Sequence, residues 1–506
     1  MSLDRIFKST PEANIESQRL LIAAKNGNSF VAKNKMVFDV DAKFVSLKNC
    51  FLHFDISMNS GNKTNIKFKH SVQDIIKSIR IVEKNTGKLV EYIQNYNVLA
   101  SNMYDYTNRS GSKNKKSLTE LSKPTPNLHI YDTLYSPFLQ PYPSSTVLPT
   151  TDSKTELKQK VVVQLYSGLF NQKDEVIYPS VLAPLQIEVE LETNKRALVI
   201  ADSINENEST INIQAASSGA TAIELTNSGQ VNGAEYAIEG SPFNVGDIVT
   251  IKEGGTTEDK TITAATVGSN RYTYTVTALA NTYTGAATIF LKSSNVSSTY
   301  VVENPNIELA ECLVPDEWVN SIVDLVGQNE FRYNLRVYES VPVNQSSGST
   351  NFVNYINSNA QSVTGVLTIP TDSSTVDSYE NSLIAGKYDN FQSFNYFYNG
   401  APNPNLPVNC NKIKNDKVNQ QHLCELQKYY DAIGCPVRDL SQFKNNFCVA
   451  RAMSVFNGSL SLTGKDLSCR FDLVEGDSTA TNLMFNNYLY KNLQLVVDRS
   501  GVRVIG

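Results

Sequence analysis

Apolar and polar residues alternate along several stretches of the chain with a period of two, which is the pattern of β-strands that bury one face. The clearest stretch covers residues 50–58, where every second residue is apolar and where His53, Asp55 and Ser57 lie on the opposite face. A second stretch, residues 185–192, alternates aliphatic residues with glutamine and glutamate. Both stretches predict strands with one buried and one solvent-exposed face.

The same pattern predicts where the first β-domain begins. Residues 1–28 lack the alternation and are expected to form an N-terminal arm, with strands starting at Phe30. In residues 78–93, two short β-rich runs flank a turn that contains Gly87, which predicts a hairpin. Residues 94–104 are then expected to form a short helix.

A change of composition near residue 203 marks an insertion. Residues 204–299 contain no Cys, His or Trp and a single Arg, and they are rich in Thr, Ala and Gly. They contain four or five short β-rich runs, with glycine-rich turns at 254–255 and 268–270. The surrounding strand pattern resumes at Tyr300. We expect a small β-barrel-like module that faces outward as a turret, because an inserted module leaves and returns at one loop tip.

Residues 315–327 carry the clearest helix pattern in the chain. A proline and two acidic residues open the helix and Gly327 closes it. Trp318, Ile322 and Leu325 lie on one stripe of it. A helix between two β-rich regions is typical of a domain junction.

The chain is therefore expected to be all-β, with two tandem β-sandwiches, an insertion in the first and a short linking helix between them. One helix, over residues 420–434, interrupts the second sandwich. The expected division is an arm at 1–28, a first sandwich at 29–203 plus 300–314, the inserted module at 204–299, the linking helix at 315–327 and a second sandwich at 328–506.

Composition restricts the function. The 506 residues include 45 basic and 50 acidic side chains, a net charge of −5, which argues against a dedicated nucleic-acid binder. The N-terminal segment lacks the apolar core of a secretion signal, and no apolar run reaches the length of a membrane span. The seven cysteines are scattered and odd in number, so we expect reduced thiols of a protein made in a cytosol-like compartment.

Four residues of the second sandwich are candidates for a metal site. His422, Cys424, Cys435 and Cys448 are separated by 1, 10 and 12 residues, without the Cys-x-x-Cys pairs that zinc sites commonly use. We expect these cysteines to be structural and metal-free. The sequence shows no nucleophile motif and no marked acid/base pair, so we assign no catalytic, cofactor-binding or metal-binding residue and expect no enzyme activity and no cofactor.

Two further features leave alternatives open. The basic loop at 105–130 is expected to be a solvated surface, with phosphate contact as the alternative. A phage-tail or adhesin-like attachment protein is the second hypothesis for the whole chain, because Thr-rich β-modules are common there. A sandwich lectin or carbohydrate enzyme is the third, and it would need the aromatic cluster at 394–400 as a sugar platform rather than as core.

Four stretches resemble the double jelly-roll major capsid proteins of virophages and Polinton-like viruses, and more distantly those of giant viruses and the adenovirus hexon. They are residues 78–99, 178–192 and 304–318, and the end of the chain from Phe447 to Ile505. The resemblance makes both sandwiches jelly rolls, so the expected fold class is an all-β double jelly roll. Residues 204–299 depart from the family.

The resemblance implies a homotrimer in which six jelly rolls form a pseudo-hexagonal capsomer. Such capsomers tile an icosahedral shell with their neighbours, with penton and minor capsid proteins, around double-stranded DNA that they enclose without sequence-specific binding. The expected location is the virion, after assembly inside the host cell. Related virophage proteins lose a C-terminal piece to a cysteine protease, and cleavage after Gly506 would fit that pattern.

Overall fold

The structure is a computed structural model. It describes residues 16–58, 66–68, 70–109, 112, 116, 119–120, 159–172, 176–200, 209, 211–226, 243, 245–267, 272–292, 296, 298–328, 330–373, 379, 384–387, 391–410, 412–413, 417–418, 421–440, 446–453, 459–474, 478–479, 482–498 and 501–505.

Strands dominate the described residues. Those before the insertion are β1 (Glu16–Ala23), β2 (Ser29–Val31), β3 (Lys35–Val40), β4 (Val45–Met58), β5 (Ile66–Phe68), β6 (Ile76–Glu83), β7 (Leu89–Gln94), β8 (Gln159–Gln164), β9 (Ile177–Tyr178), β10 (Leu185–Leu191) and β11 (Leu198–Ile200). Those of the insertion are β12 (Ala222–Glu224), β13 (Ile248–Glu253), β14 (Thr256–Val267), β15 (Tyr272–Val276) and β16 (Thr288–Leu291).

The remaining strands are β17 (Tyr300–Leu313), β18 (Phe331–Gln345), β19 (Asn351–Tyr355), β20 (Val363–Asp372), β21 (Phe391–Tyr398), β22 (Ala401–Asn409), β23 (Lys412–Ile413), β24 (Lys417–Val418), β25 (Val449–Ala452), β26 (Leu467–Leu473), β27 (Leu483–Asp498) and β28 (Gly501–Ile505). The helices of the described ranges are α1 (Tyr96–Thr107), α2 (Asn194–Ala197), α3 (Asp316–Gln328) and α4 (Gln421–Ala432), with a 3₁₀ turn at Val72–Ile75. None of these helices is long and apolar enough to cross a membrane.

The first jelly roll is a sandwich of two antiparallel sheets. One sheet has the order β1–β17–β4–β8, with β2 on β17 and β9 on β4, and the facing layer contains β3, β10, β6 and β7. Leu52 and Phe54 of β4 and Ile187 of β10 are fully buried in the core between them. The alternation predicted for residues 50–58 and 185–192 is confirmed, because every second residue of both strands points into this core.

The second jelly roll repeats this architecture. Its first layer contains β18, β27, β20 and β25, with β28 on β27, and its second layer is the four-stranded sheet β19–β26–β21–β22. Four phenylalanines fill the space between them: Phe352, Phe391, Phe471 and Phe485, with neighbouring ring centroids 5.0–6.5 Å apart. The predicted fold class, an all-β double jelly roll, is confirmed.

The inserted module has its own sheet, β12–β15–β14–β13–β16. The segment 211–214 closes this sheet into a barrel by bonding to both of its edges. The amide of Ile289 in β16 donates to the carbonyl of Ile211, and the amide of Gln214 donates to the carbonyl of Glu224 in β12. The turn predicted at 254–255 is present between β13 and β14, whereas 268–270 lies outside the described residues.

Both predicted helices in the second half of the chain are present. α4 buries Leu423, Leu426 and Tyr430, and Ile433 directly after the helix is also buried, as the helical spacing predicted. The linking helix α3 continues through Gln328 and so does not stop at the glycine before it. The side chains of its predicted apolar stripe lie outside what the structure describes.

Several predictions about strands are wrong or incomplete. Strands do not start at Phe30, because β1 already pairs antiparallel with β17 over Glu16–Ala23. β1 is an edge strand whose side chains are mostly exposed, and so it lacks the alternation that a half-buried strand shows. The edge strands β19 and β22 were not predicted.

Candidate functional site

The four residues considered as a metal site in the sequence analysis differ in their burial. Cys424 is exposed, whereas His422 and Cys448 are buried. The His422 ring lies 5.6 Å from the ring of Phe447, and burial lowers the pKa of His422 to about 4. Burial also raises the pKa of the Cys448 thiol to about 12. Among the described residues, no group of three or more His, Cys, Asp and Glu side chains is placed to hold a metal ion.

The alternation predicted that His53 lies on the solvent-exposed face of its strand, and this prediction is wrong. His53 is 9% exposed, and its Nε2 atom lies 2.6 Å from a carboxylate oxygen of Glu308 on β17. Arg19 of β1 contacts the same carboxylate at 2.5 Å. Burial lowers the pKa of His53 in spite of the neighbouring carboxylate. The unpredicted strand β1 therefore explains the error, because it brings charged side chains onto this face of the sheet.

The aromatic cluster at 394–400 lies mainly in the core of the second jelly roll. Phe394 and Tyr396 are fully buried, and the Tyr396 hydroxyl lies 2.9 Å from the Thr368 hydroxyl. Tyr398 is half-buried, and its hydroxyl donates to the Ser461 carbonyl. The cluster does not present the open aromatic face that a sugar platform requires.

The basic loop at 105–130 is described only in part. Its Lys116 is not a solvated charge, because the ammonium donates to the Tyr166 hydroxyl at 2.7 Å and lies 3.3 Å from the Glu120 carboxylate. Lys113, Lys115 and Lys123 lie outside the described residues.

A densely hydrogen-bonded polar region lies where the two jelly rolls meet. β7 of the first and β18 of the second run parallel and join the two inner layers into one nine-stranded sheet. Their backbones pair at a single position, Tyr92 with Glu339. The Ser340 side chain adds further hydrogen bonds at this junction. The amide of Gln94 donates to the Ser340 hydroxyl at 2.6 Å, and that hydroxyl donates to the Tyr92 carbonyl at 3.1 Å.

Glu91 of β7 is at the centre of this junction. Its buried carboxylate accepts hydrogen bonds from the amide of Gly168 at 2.9 Å, from the amide of Tyr338 at 2.7 Å and from the Ser167 hydroxyl. The donors come from both jelly rolls, since Tyr338 belongs to β18 and the other two follow β8. Burial raises the pKa of Glu91 to about 7, although these hydrogen bonds favour the ionised form.

Gln172 extends the junction, because its side chain bonds to the backbone of β18 as a neighbouring strand would. The amide of Arg336 donates to its Oε1 atom at 3.1 Å, and its Nε2 atom donates to the Arg336 carbonyl at 2.8 Å. Gly168 permits this close approach, because a Cβ atom there would lie 2.8 Å from the Cα atom of Val337. The free edge of β18 thus has its backbone groups satisfied by side chains, as buried backbone requires.

A second polar contact joins helix α1 of the first jelly roll to the second jelly roll. Asn446 is fully buried and donates to Ser101 Oγ and Asp105 Oδ2, both at 2.9 Å. The Tyr430 hydroxyl donates to Asn102 Oδ1 at 2.6 Å, and the Tyr106 hydroxyl donates to the Asn446 carbonyl at 2.8 Å. Buried, satisfied polar groups of this kind fix one relative orientation of the elements they join.

This arrangement joins the two jelly rolls mechanically. The named groups bond to one another or to backbone, and they hold two sandwiches as one body. Sequence analysis missed the junction, although Glu91 was visible as a lone acid between Val90 and Tyr92 in a β-rich run. An acidic residue in such a position lies either on a solvent-exposed face or in the interior as an acceptor of hydrogen bonds, and the sequence does not distinguish the two.

Comparison with known proteins identifies the class of fold. No protein-family model and no curated protein sequence matches the chain. Its structure is similar to the Faustovirus major capsid protein, with a TM-score of 0.51 at 9% identity, covering 98% of this chain and 94% of that one. It is also similar to chains from the quasi-atomic model of the PBCV-1 virus capsid (TM-score 0.49, 8% identity, 98% of both chains) and from the Sputnik virophage (TM-score 0.47, 10% identity, 98% and 89%). The chain has the double jelly-roll fold of viral major capsid proteins.

Proposed function

We propose that this chain is a viral major capsid protein that forms homotrimers. The observation that carries the proposal is the double jelly roll itself, which matches the Faustovirus major capsid protein over 98% of this chain. Two jelly rolls held as one body supply two of the six positions of a pseudo-hexagonal ring, and three copies complete it. A ring that closes in this way uses head-to-tail contacts, in which one surface of each copy meets a different surface of the next.

The trimers then act as capsomers of an icosahedral shell around double-stranded DNA, together with penton and minor capsid proteins. The net charge of −5 supports a shell that encloses the genome without sequence-specific contacts, because a specific binder would concentrate basic residues. The junction that holds the two jelly rolls as one body supports a structural role in the virion, and we propose neither catalysis nor a cofactor for it.

We further propose the division into an arm (1–28) whose strand β1 joins the sheet of the first jelly roll, a first jelly roll (29–203 plus 300–314), an outward module (204–299), a linking helix (315–327) and a second jelly roll (328–506). The two ends of the module support this division, because Tyr379 forms hydrogen bonds with the chain at both of them. The amide of Ile200 donates to the Tyr379 carbonyl at 2.8 Å, and the Tyr379 hydroxyl donates to the Ser298 carbonyl at 2.9 Å. The chain thus leaves and returns at one place, as an inserted module must.

Mass photometry of the purified protein tests trimerisation. We expect a species near three times the 56.0 kDa of the chain at micromolar concentration. A protein that stays monomeric under these conditions would overturn the proposed function.

Replacing residues 205–297 by a short Gly/Ser linker tests the outward module. Loop-closure entropy changes slowly with length, so we expect soluble trimers to persist. Aggregation, or loss of the trimer with the chain still folded, would show that the module belongs to the core or the interface.

A further inference from the structure

Glu91 differs from two acidic residues of the same sheet, Glu188 and Glu190, in what surrounds it. Both residues lie on β10, which is separated from β7 by β6, and they form ion pairs with lysine or arginine at 2.7–3.2 Å. The carboxylate of Glu91 is 1% exposed and receives hydrogen bonds from neutral donors. Within the described part of the chain, no lysine, arginine or histidine forms an ion pair with it. A buried charge without a cation is costly, and protonation is the usual relief.

The titratable groups packed around Glu91 do not supply that cation. From the loop after β8, Tyr166 binds Lys116, which is paired with Glu120. From β18 come Tyr338 and Arg336, and from β27 comes Tyr490, whose ring lies 4.9 Å from the ring of Tyr338. The Arg336 guanidinium lies near the Tyr490 hydroxyl, where its charge acts against the effect of burial on the pKa of Tyr490. Burial holds the pKa values of all three tyrosines above their ordinary value, so they stay neutral.

The hydrogen bonds of Glu91 allow it to bind a proton without rearrangement. Its Oε1 atom accepts from the amides of Gly168 and Tyr338 and can do so in either protonation state. Its Oε2 atom accepts from the amide of Leu169 at 3.4 Å and faces the Ser167 hydroxyl, which can serve as donor or acceptor. Protonation therefore reverses one hydrogen bond and removes the buried charge, while the contact between the two jelly rolls is kept.

We propose that Glu91 is a proton-controlled latch that holds the two jelly rolls together most tightly in its protonated form. The sign follows from burial, which raises the pKa of Glu91 to about 7 from its ordinary value of 4.5. A carboxyl group with a raised pKa in the folded state stabilises the fold fully below the ordinary value. That stabilisation is lost as the pH rises through about 7. In the proposed capsid, the relative orientation of the jelly rolls would therefore be fixed more firmly in mild acid than in mild base.

Hydrogen exchange of the intact protein, measured on peptides covering residues 165–172 and 336–340, tests the latch. After correction for intrinsic exchange, we expect opening of both segments to increase roughly 30-fold from pH 5.5 to pH 8.0, by linkage of a folded pKa of about 7 to the ordinary 4.5. Glu91→Gln cannot ionise, so its opening should change less than about twofold over the same range. A wild-type profile without this rise, or a Glu91→Gln profile that keeps it, overturns the proposal.

Two further variants keep the test decisive. Ser167→Ala removes a hydrogen-bond donor that favours the ionised form of Glu91. The pH midpoint of the rise in opening should therefore move to higher pH. An unmoved midpoint counts against the latch even if Glu91→Gln fails to fold. Glu83→Gln is the matched control, because Glu83 is a buried acid whose acceptor role lies within the β6–β7 hairpin. It should keep the wild-type profile.

The biological role of the latch depends on the proposed function, but this assay does not. A monomeric protein would end the capsid proposal and leave the exchange result intact.

Discussion

The core of the second jelly roll and the junction between the jelly rolls are both buried, but they are held by different interactions. In the core, Phe352, Phe391, Phe471 and Phe485 pack ring against ring, and the contacts are apolar and weakly directional. In the junction, Glu91 and Gln172 bond to backbone groups at fixed distances. The difference indicates that the core supplies most of the stability of each sandwich, whereas the junction fixes how the two sandwiches are oriented.

The largest effect is expected in the aromatic core. Phe471 is fully buried, and its ring lies 5.0–6.4 Å from four other phenylalanine rings. Phe471→Ala should lower the free energy of unfolding by about 3–5 kcal/mol, measured by denaturant titration, because the substitution leaves a cavity. Tyr355→Ala is the control: Tyr355 is 60% exposed on the outer edge strand β19, and its loss should cost less than about 0.5 kcal/mol. Equal losses in the two variants would contradict the assignment of this core.

A smaller effect is expected at the junction. Gly168→Ala places a Cβ atom 2.8 Å from the Cα atom of Val337 and 3.0 Å from the Arg336 carbonyl oxygen, so backbone must move. We expect a loss of about 1–3 kcal/mol in the free energy of unfolding. We also expect faster hydrogen exchange in residues 336–340.

Gly255→Ala is the matched control, because nothing lies within 4 Å of the Cβ position there. If Gly168→Ala left exchange in 336–340 unchanged, the close packing of the junction would be in doubt.

The smallest effect concerns the inserted module and depends on pH. Glu258 accepts hydrogen bonds from the amide of Ala280 at 2.7 Å and from the Tyr283 hydroxyl at 3.0 Å, and it pairs with Lys260. Although burial acts against them, these bonds lower the pKa of Glu258 to about 2 from 4.5. A lowered pKa contributes stability above the ordinary value that is lost as the pH falls through the lower value.

Glu258→Gln should therefore lower the melting temperature at pH 7, and the difference from wild type should shrink as the pH falls from 4.5 toward 2. Asp324→Asn also removes one carboxylate charge, at an exposed position in the interior of α3, and should show no such pH-dependent difference. A gap for Glu258→Gln that stays constant with pH would show that the carboxylate charge is not what holds this loop.

The sequence predicted the sandwich layers well, because burial on one face imposes alternation. β4, β10 and the β6–β7 hairpin followed directly from it. Helix α4 was predicted because its buried stripe repeats at helical spacing.

The edge strands were missed for the opposite reason. β22 carries Pro402, Pro404 and Pro407, which read as a loop, and prolines are tolerated there because an edge strand leaves one side unpaired. β1 is mostly exposed and so shows no alternation.

The junction could not be predicted for a further reason. Its contacts join residues far apart in the sequence, such as Glu91 with Tyr338 and Tyr430 with Asn102, and use ordinary polar residues without a motif. The predicted exposure of His53 failed in the same way, because Glu308 and Arg19 come from strands far away in the sequence. Local pattern determines which face of a strand is buried, whereas long-range topology determines what polar side chains meet.

Electron microscopy of the purified protein tests the central claim most directly. Negative-stain class averages should show closed particles with a pseudo-hexagonal outline and three-fold symmetry, formed by three copies of the double jelly roll. Isolated two-lobed monomers or fibres at micromolar concentration would contradict the capsid assignment and favour an attachment protein.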